Sequence, residues 1–397
     1  MRRNTQRALL FTLICAAVLL AAPQAHAADS ITHRFIQEVP GRNGQPTLAD
    51  FWDRRATFVI DVTNTGLPMG ESETMQLRSG ELWSYVHANS GAGVVDSCGA
   101  PTPFPGCVVI YRSQDRGRSF TLQEKRCLIP CKSCPCSESV DHINQQQYPR
   151  IGFDPAHPDD GVWMAYEHGA QIFVRRSRDG LIWSAARRLP GTGVQPRSGR
   201  CIGASIVGAH PFTDEGVGCL LGGPPGLFVE DKRVHVFMAQ GQSPGNLACM
   251  VGTPKLQAER FKLCRANPLV SGAPIYGDTQ AKGPAQNAYF DFRTLSAAEV
   301  MRVGARYYAF YEGIRGPSAR DFGDTQFGIG LARSATGKID GPWEKFSGNP
   351  VIVDLPGNIG LGHTDVIVID GKTFLYTSLD GWVRSRLVLI WLNAASN

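Results

Sequence analysis

The chain has 397 residues, 43% of them hydrophobic, and a formal net charge of +5 at neutral pH. Three arginines near the N-terminus supply much of that charge, so the rest of the chain carries about +2, too little to indicate nucleic acid or an anionic membrane as a partner. After the N-terminal segment no apolar run is long enough to span a bilayer. Roughly 370 mature residues allow either two domains or a single large β domain.

The N-terminal segment has the three parts of a secretory signal peptide. The basic part contains Arg2, Arg3 and Arg7. The apolar part is Leu9–Ala22, which is too short for a good transmembrane helix, and Ala25–Ala27 is a small-residue cleavage box. We therefore predict that residues 1–27 are a signal peptide and that residues 28–397 form a secreted or periplasmic protein. The alternative is a retained anchor.

Ten cysteines remain after the predicted cleavage, an even number in an exported chain, so disulfides are expected. They are Cys98, Cys107, Cys127, Cys131, Cys134, Cys136, Cys201, Cys219, Cys249 and Cys264. The cluster from Cys127 to Cys136 has an alternative interpretation as a zinc site, but it lacks a second paired CxxC. No cysteine follows Cys264, so packing alone must hold the last third together.

Five segments share one pattern of a β-rich strand, a turn with Gly or Asp, an aromatic-rich strand and a third strand. In chain order they are Thr74–His87 with Val108–Ser113, Arg150–Asp154 with Gly161–Glu167 and Ile172–Ser177, Gly226–Met238, Glu299–Tyr311 with Phe327–Ser334, and Asp365–Tyr376 with Arg386–Trp391. Alternating apolar and polar positions between turns indicate strands, and no long helical period follows the signal segment.

Repeated units of this kind predict an all-β, five-bladed β-propeller in a single domain. The last unit ends after three strands, and a propeller closes its ring by lending a terminal strand. Ala56–Asp61 is the expected donor.

Two segments have the form of Asp-boxes. Ser113–Phe120 fits S-x-D-x-G-x-x-aromatic, and Ser177–Trp183 is a shortened form. In such a box the Ser and Asp side chains satisfy turn backbone groups, while Gly takes an unusual φ. These residues are therefore expected to specify fold and not catalysis.

The stretch from Glu299 to Tyr376 contains a further series of short motifs. They are Ala298–Tyr311, Gly330–Ser334, Gly341–Lys345, Asn349–Pro350, Gly362–Asp365 and Asp370–Lys372. In this order they resemble the five-bladed glycosidases of the arabinanase and β-xylosidase type, glycoside hydrolase family 43 and its clan. The resemblance covers roughly the last quarter to third of the chain.

The resemblance implies roles for two residues. The glutamate that opens an inner strand before a Gly and Tyr-Tyr turn is the family's general acid, here Glu299. The family's Gly-His pair lies at the propeller axis, here His363, and implies a structural calcium or sodium ion nearby. Val300 stands where the family has a small residue and Pro, and its N-terminal Asp-Pro motif has no clear match, so a distant or separate family within the clan is expected.

Hydrolysis of a glycosidic bond needs one protonated and one ionised carboxyl facing the same bond, and no organic cofactor. The inner strands of a propeller converge on one axial pocket, so acids at their starts are the candidates. We predict Glu299 as the acid and Asp141 as the base of an inverting mechanism, with Glu73 as the rival base. The predicted substrate-binding residues are Arg150, His142, His363 and Asp365.

Each of these residues also has a simpler interpretation. Glu73, Asp141 and Glu299 are alternatively solvated turn residues, His363 a satisfied buried histidine, and Asp365 a residue that holds the backbone. Four aromatic residues on the strands are candidates for stacking on sugar rings, but blade packing is the more common role of such residues. They are Trp83, Trp163, Tyr307 and Tyr308.

Three functions remain open from the sequence. The first is an exported glycoside hydrolase acting on a polysaccharide, with a carbohydrate as its only predicted partner. The second is a sialidase-like exo-glycosidase, which would need three arginines around a carboxylate, a Tyr–Glu nucleophile pair and six blades. The third is a non-catalytic carbohydrate-binding propeller, which fewer than two acids in the axial pocket would favour.

Overall fold

The computed structural model describes 16 segments of the chain, and everything below concerns these residues. They are residues 34–61, 65–67, 72–87, 108–123, 128–129, 146–169, 171–192, 220, 223–241, 245–253, 260–272, 290–292, 294–314, 327–353, 363–378 and 387–395. Within them 23 strands form five antiparallel sheets, and one α-helix, α1, spans Leu48–Trp52. In this part of the chain, no helix has the length and apolar character that crossing a membrane requires.

Each sheet is one blade. Blade 1 contains β1 (Phe35–Ile36), β3 (Ser72–Leu77), β4 (Leu82–His87), β5 (Val108–Ser113) and β6 (Thr121–Leu122). Blade 2 contains β7 (Gln147–Phe153), β8 (Val162–His168), β9 (Gln171–Ser177) and β10 (Arg187–Arg188). Blade 3 contains β11 (Gly226–Glu230), β12 (Arg233–Gln240), β13 (Asn246–Gly252), β14 (Lys262–Leu263) and β15 (Val270–Ser271).

The last two blades follow the same order. Blade 4 contains β16 (Thr294–Val303), β17 (Arg306–Ile314), β18 (Phe327–Ser334), β19 (Trp343–Lys345) and β20 (Ile352–Val353). Blade 5 contains β21 (Asp365–Ile369), β22 (Lys372–Ser378), β23 (Leu387–Ala394) and, at its outer edge, β2 (Ala56–Asp61). Two single turns of 3-10 helix lie at Arg42–Gly44 and Pro158–Asp160.

The blades form a closed ring. The inner strands β3, β7, β11, β16 and β21 contact one another in sequence, and β21 returns to β3. The N-terminal strand β2 pairs antiparallel with β23, from Ala56 opposite Ala394 to Asp61 opposite Leu389. The five-bladed propeller and its closure by Ala56–Asp61 are thus confirmed.

Apolar side chains pack between neighbouring blades in five clusters, one for each blade interface. Alternation along each strand produces this arrangement, since successive side chains point to opposite faces of a blade. The aromatic residues considered for sugar stacking, Trp83, Trp163, Tyr307 and Tyr308, are all buried here. Their role in blade packing is confirmed.

The segment before β2 packs against one end of the propeller axis. β1 pairs with Gln76 and Leu77, the last residues of β3, at the end of the axis opposite the starts of the inner strands. Glu38 accepts hydrogen bonds from Gln76 Nε2 at 3.0 Å and from Gly371 N at 3.2 Å. Glu38 thus joins this segment to the ends of the inner strands of blades 1 and 5.

Both Asp-boxes are hairpin turns at blade interfaces, away from the axis. Asp115 accepts hydrogen bonds from Ser113 and from the backbone N–H groups of Arg118 and Ser119. Gly117, at φ 81°, leaves room for the Tyr376 hydroxyl of blade 5, which donates to its carbonyl at 3.0 Å. The structural role predicted for these motifs is confirmed.

The second Asp-box repeats this contact one blade further on. Gly180, at φ 71°, accepts a 3.1 Å hydrogen bond from the Tyr85 hydroxyl of blade 1. A Cβ at Gly117 or Gly180 would collide with the tyrosine hydroxyl, so both positions require glycine.

One disulfide lies within the described residues, between Cys249 of β13 and Cys264 beyond β14. Both cysteines are buried, and their Cα atoms are 5.3 Å apart. The other eight cysteines of the mature chain, the predicted signal peptide and its cleavage site lie outside the described residues. The expectation of disulfides is thus met for one pair.

We expect the double variant Cys249→Ala/Cys264→Ala to lose about 3 kcal/mol of unfolding free energy, because the bond closes a loop of 15 residues. Urea unfolding of the oxidised wild type and the variant measures the difference. The single variant Cys264→Ala, which also cannot form this bond, is the control and should match the double variant. A loss too small to detect would show that the bond does not restrain the unfolded chain.

Candidate active site

Four of the sequence-predicted residues meet at the propeller axis. Glu73 of β3, Arg150 of β7, Glu299 of β16 and Asp365 of β21 come from four different inner strands, and each is less than 10% exposed. We call these four residues the axial cluster. Predicted residues Asp141 and His142 lie outside the described residues.

Arg150 is the centre of the axial cluster. Its Nη1 atom lies 3.2 Å from Glu73 Oε2 and 3.2 Å from Glu299 Oε2. The same atom donates to the carbonyl oxygens of Ser72 and Thr364, at 3.3 and 3.1 Å. One guanidinium thus joins blades 1, 2, 4 and 5.

The other two nitrogens of the Arg150 guanidinium differ in their hydrogen bonding. Nε donates to the Pro225 carbonyl at 3.3 Å, which adds blade 3 to the contacts of this side chain. Nη2 is buried and has no hydrogen-bond partner among the described residues. A buried donor without an acceptor costs free energy, so Nη2 is a position that a ligand oxygen or a water would satisfy.

Asp365 joins blade 5 to blade 1. Its carboxylate accepts hydrogen bonds from Ser72 Oγ at 3.0 Å, Thr74 N at 3.0 Å and Thr74 Oγ1 at 2.6 Å. The residue is fully buried, at 0% exposure. These contacts support the simpler sequence interpretation, in which Asp365 holds the backbone.

Backbone irregularities aim two members of the axial cluster at the axis. The pairing of β7 with β8 shifts register between Gln147 and Arg150, and Tyr148 has φ 56°. Likewise, the pairing of β16 with β17 shifts between Ser296 and Glu299 at Ala297, whose φ is 50°. Bulges of this kind redirect side chains and often lie beside functional sites.

These bulges correct one expectation from the sequence. Glu299 and Arg150 were expected at the very starts of their strands, but β16 begins at Thr294 and β7 at Gln147. Because the extra residue breaks the alternation, the sequence pattern of each strand is recognisable only beyond its bulge.

The axial cluster has three carboxyl groups around one cation, and this excess of acid changes their protonation. Burial raises the pKa of Glu299 to about 8, against the opposing effect of Arg150. Burial and the neighbouring charge of Glu299 also raise the pKa of Glu73 well above its ordinary value. Close buried carboxyls cannot all ionise, so at neutral pH this cluster retains at least one proton.

A second polar layer lies toward the face where the inner strands begin. The His363 ring packs edge-on against Tyr148, with 4.9 Å between centroids, and its Nδ1 lies 3.4 Å from Glu312 Oε2. Ser296 Oγ donates to the same oxygen of Glu312 at 3.1 Å. His363 is therefore close to the axis, as predicted, with a carboxylate beside it.

Glu312, Glu167 and His87 were not identified from the sequence. All three are buried and lie at or near the ends of second strands, where Gln147 Nε2 donates to Glu167 Oε2 at 3.2 Å. A sequence signal does exist, since a tyrosine precedes a polar residue at this point of several blades. The instances are Tyr166-Glu167, Tyr311-Glu312 and Tyr376-Thr377.

The cavity between the inner strands is small. It measures about 90 Å³ and is bounded by Glu73 and Glu299 at one end and by Gln76 near the other. Apolar residues such as Met75 and Val368 are among those that line it. This volume accommodates a few water molecules, and a larger ligand would have to bind outside the cavity.

A structural cation does not fit the axial cluster. The guanidinium of Arg150 already occupies the position between the carboxyls of Glu73 and Glu299. Within the described segments, no group of three or more His, Cys, Asp or Glu side chains is arranged to hold a metal ion. The positive charge at this point of the axis is therefore supplied by the chain itself.

We expect Asp365→Ala to lower the free energy of unfolding by about 2–4 kcal/mol, because three buried donors lose a charged acceptor. Asp370→Asn in the same blade is the control, since Asp370 is 53% exposed, its ion pair with Arg116 lies at the surface, and asparagine tolerates the φ of 53° at this position. Chemical unfolding of the two variants gives the comparison. Equal losses would show that Asp365 does not hold blades 5 and 1 together.

The fold and the axial cluster define a class of protein, a five-bladed β-propeller with a buried carboxyl–arginine site on its axis. No family model matches the chain, and no curated protein matches it. Solved structures do match, at low identity, over most of the chain.

An endo-1,4-beta-xylanase from Bacteroides thetaiotaomicron is 14% identical with a TM-score of 0.49, covering 85% of this chain and 93% of that chain. An alpha-L-arabinanase from Cellvibrio cellulosa is 15% identical with a TM-score of 0.49, covering 82% and 91%. A GH43 endo-arabinanase from Bacillus licheniformis is 13% identical with a TM-score of 0.44, covering 83% and 96%. Two of these neighbours are named as arabinanases and one as a xylanase.

Proposed function

We propose that the protein is a secreted glycoside hydrolase in which Glu299 is the general acid. The observation that carries the proposal is the axial cluster, in which Glu299 is buried with a pKa of about 8 and so holds its proton at neutral pH. A carboxyl in this state can protonate the leaving oxygen of a glycosidic bond. The second acid and third acid of the cluster count against a purely sugar-binding propeller.

The base of the reaction depends on the spacing of the carboxyls. Glu73 and Glu299 approach the same atom of Arg150, so the oxygens concerned are separated by at most twice 3.2 Å. An inverting pair needs about 6.5–9.5 Å to admit a water, whereas a retaining pair needs about 5–5.5 Å. An inverting mechanism therefore requires another carboxylate as base, for which we propose Asp141; with Glu73 as the partner, the mechanism would be retaining.

Arg150 is proposed to position the substrate as well as the acid. Its buried Nη2 lacks a partner among the described residues and is available to a sugar hydroxyl or carboxylate. His363 and Tyr148 lie in the polar layer through which the sugar would approach. Export is supported by the signal-like N-terminus and by the Cys249–Cys264 disulfide.

The sialidase alternative has less support. The Asp-boxes lie between blades and stabilise turns, and the sheets number five where that alternative needs six. Around the axial carboxyls, the described residues place a single arginine, Arg150. A three-arginine carboxylate site is not formed by this part of the chain.

The proposal is tested by measuring sugar release from arabinan, xylan, galactan and a sialylated glycan. We expect release from one of the neutral polysaccharides by the wild type and by Glu344→Gln, and release at least about a hundredfold slower by Glu299→Gln. Glu344 is the matched control because it lies in the same blade with its side chain 45% exposed. Full activity of Glu299→Gln would overturn the acid assignment, and absence of release from every substrate would favour a sugar-binding propeller.

A further inference from the structure

A second cleft lies away from the axis, between blade 5 and the Asp-box hairpin of blade 1. It has a volume of about 540 Å³, which is within the range of ligand-binding pockets and several times that of the axial cavity. Arg118 lines it on the side of blade 1, and Lys372, Phe374 and Trp391 line it on the side of blade 5. We call it the blade 5–1 cleft.

Two cations in this cleft are not neutralised by the protein. Neither Lys372 nor Arg118 forms an ion pair with a carboxylate in the segments that the structure describes. In contrast, Arg116 at the rim pairs with Asp370. Partial burial also lowers the pKa of Lys372. An anionic ligand would supply the missing partner.

Aromatic rings lie directly beside Lys372. Phe374 and Trp391 are opposite each other in the pairing of β22 with β23, so their side chains share one face of blade 5. Lys372 Nζ lies 5.0 Å from the centroid of Trp391 and 5.7 Å from that of Phe374. The cleft thus places a cation next to two half-buried rings, and sugar-binding sites combine such apolar surfaces with a few polar groups.

We propose that the blade 5–1 cleft binds an acidic saccharide through the carboxylate of a uronic acid unit. The carboxylate lies between Lys372 and Arg118, whose planar guanidinium fits a carboxylate in two parallel hydrogen bonds. The sugar ring lies beside Lys372 and the two rings that Lys372 covers, and Asp61, which also lines the cleft, accepts a hydrogen bond from a hydroxyl. This site goes beyond the proposed hydrolytic function, since it binds saccharide without cleaving it.

Calorimetric titration with trigalacturonate as the carboxylated probe and arabinotriose as the neutral probe tests the site. We expect the wild type to bind trigalacturonate, and Lys372→Met and Arg118→Met each to bind it about tenfold more weakly, the loss of one charge-assisted hydrogen bond. Lys338→Met is the matched control, because Lys338 is an exposed lysine of blade 4, and it should bind as the wild type does. Arg118 is exposed, so its variant is expected to fold normally.

Glu299→Gln separates this site from the axial one. It should bind trigalacturonate with unchanged affinity, whether or not the wild type hydrolyses a polysaccharide, and binding should weaken as salt is added. The proposal is overturned if the wild type does not bind trigalacturonate, if both Lys372→Met and Arg118→Met bind it as the wild type does, or if these two variants weaken the binding of arabinotriose as much as that of trigalacturonate.

Discussion

Replacing Arg150 with methionine should lower the free energy of unfolding by roughly 3–5 kcal/mol, the usual cost of removing one partner from a buried ionic network. Methionine retains much of the volume of the stem, so the loss reports on charge and hydrogen bonds more than on packing. Three buried carboxyls would lose their cation, and the carbonyl oxygens of Ser72, Thr364 and Pro225 would lose a donor. Urea unfolding at constant pH measures the effect.

The expected loss depends on pH and on the remaining carboxyls. Above pH 8 the loss of unfolding free energy should be greater. Without Arg150 the folded protein has to keep Glu73 and Glu299 protonated, and this costs more free energy as the pH rises. The double variant Arg150→Met/Glu73→Gln should recover part of the stability. Arg302→Met is the matched control, because Arg302 also lies on an inner strand but its side chain is 49% exposed and pairs with Glu230. This variant should lose no more than about 1 kcal/mol of unfolding free energy.

If Arg150→Met were as stable as Arg302→Met, the axial cluster would not be the ionic network that the contacts indicate. If the second substitution at Glu73 gave no recovery, the two residues would not interact in the folded protein. Either result would show that Arg150 does not interact strongly with Glu73 and Glu299, the acids on which the proposed chemistry depends.

Glu299→Gln should reduce kcat by about 10²–10⁴-fold on the polysaccharide that the wild type cleaves, which is the usual contribution of a positioned general acid. Glutamine has the shape of the protonated acid but no proton to give. The wild-type rate should fall as the pH rises through about 8, because Glu299 must be protonated to act. Steady-state kinetics across this range measures both effects.

Glu299 also has a predicted consequence for stability, whose sign follows from its raised pKa. The folded state holds the proton more tightly than the unfolded state, so the stabilisation is fully present below the ordinary value of 4.5 and is lost as the pH rises through about 8. Glu299→Gln should therefore fold, and its stability should depend less on pH in this window. If Glu299→Gln did not fold at any pH, the kinetic comparison would use Glu73→Gln instead. Glu73→Gln should also lose activity if Glu73 and Glu299 act together.

The blades were predictable because they depend on local chemistry that repeats along the chain. Alternation and turn residues define strands such as Asp365–Ile369 without knowledge of their partners. Because the last blade has only three strands of its own, a strand from the N-terminal part, Ala56–Asp61, is expected to complete it. The Asp-box around Asp115 was equally recognisable, since its hydrogen bonds all lie within a few residues.

The members of the axial cluster were predictable one at a time, but their arrangement was not. Glu73 and Arg150 are 77 residues apart, and Arg150 and Glu299 are 149 apart, so no local pattern records that they share one nitrogen. The sequence therefore indicates Arg150 as a sugar ligand, whereas in the folded chain it first binds the acids of two other blades, Glu73 and Glu299.

Residues of the second polar layer were missed for a different reason. Glu312 lies near the end of a strand whose sequence is typical of a buried strand. Its carboxylate is recognisable as part of the site only because His363, from another blade, lies beside it in the folded chain. Tyr148 and Ala297 were missed because a bulge leaves no period in the sequence. The blade 5–1 cleft joins Arg118 to Lys372 across the ring closure, which pattern analysis cannot relate.

The central claim is that Glu299 holds a proton at neutral pH within the axial cluster, and an infrared titration of the buried carboxyl band tests it without any substrate. The difference between wild type and Glu299→Gln should contain a protonated-carboxyl band at pH 6 that disappears with a midpoint near pH 8. A difference spectrum without a protonated carboxyl between pH 6 and 7 would contradict the claim, because Glu299 would then be ionised and unable to act as the acid.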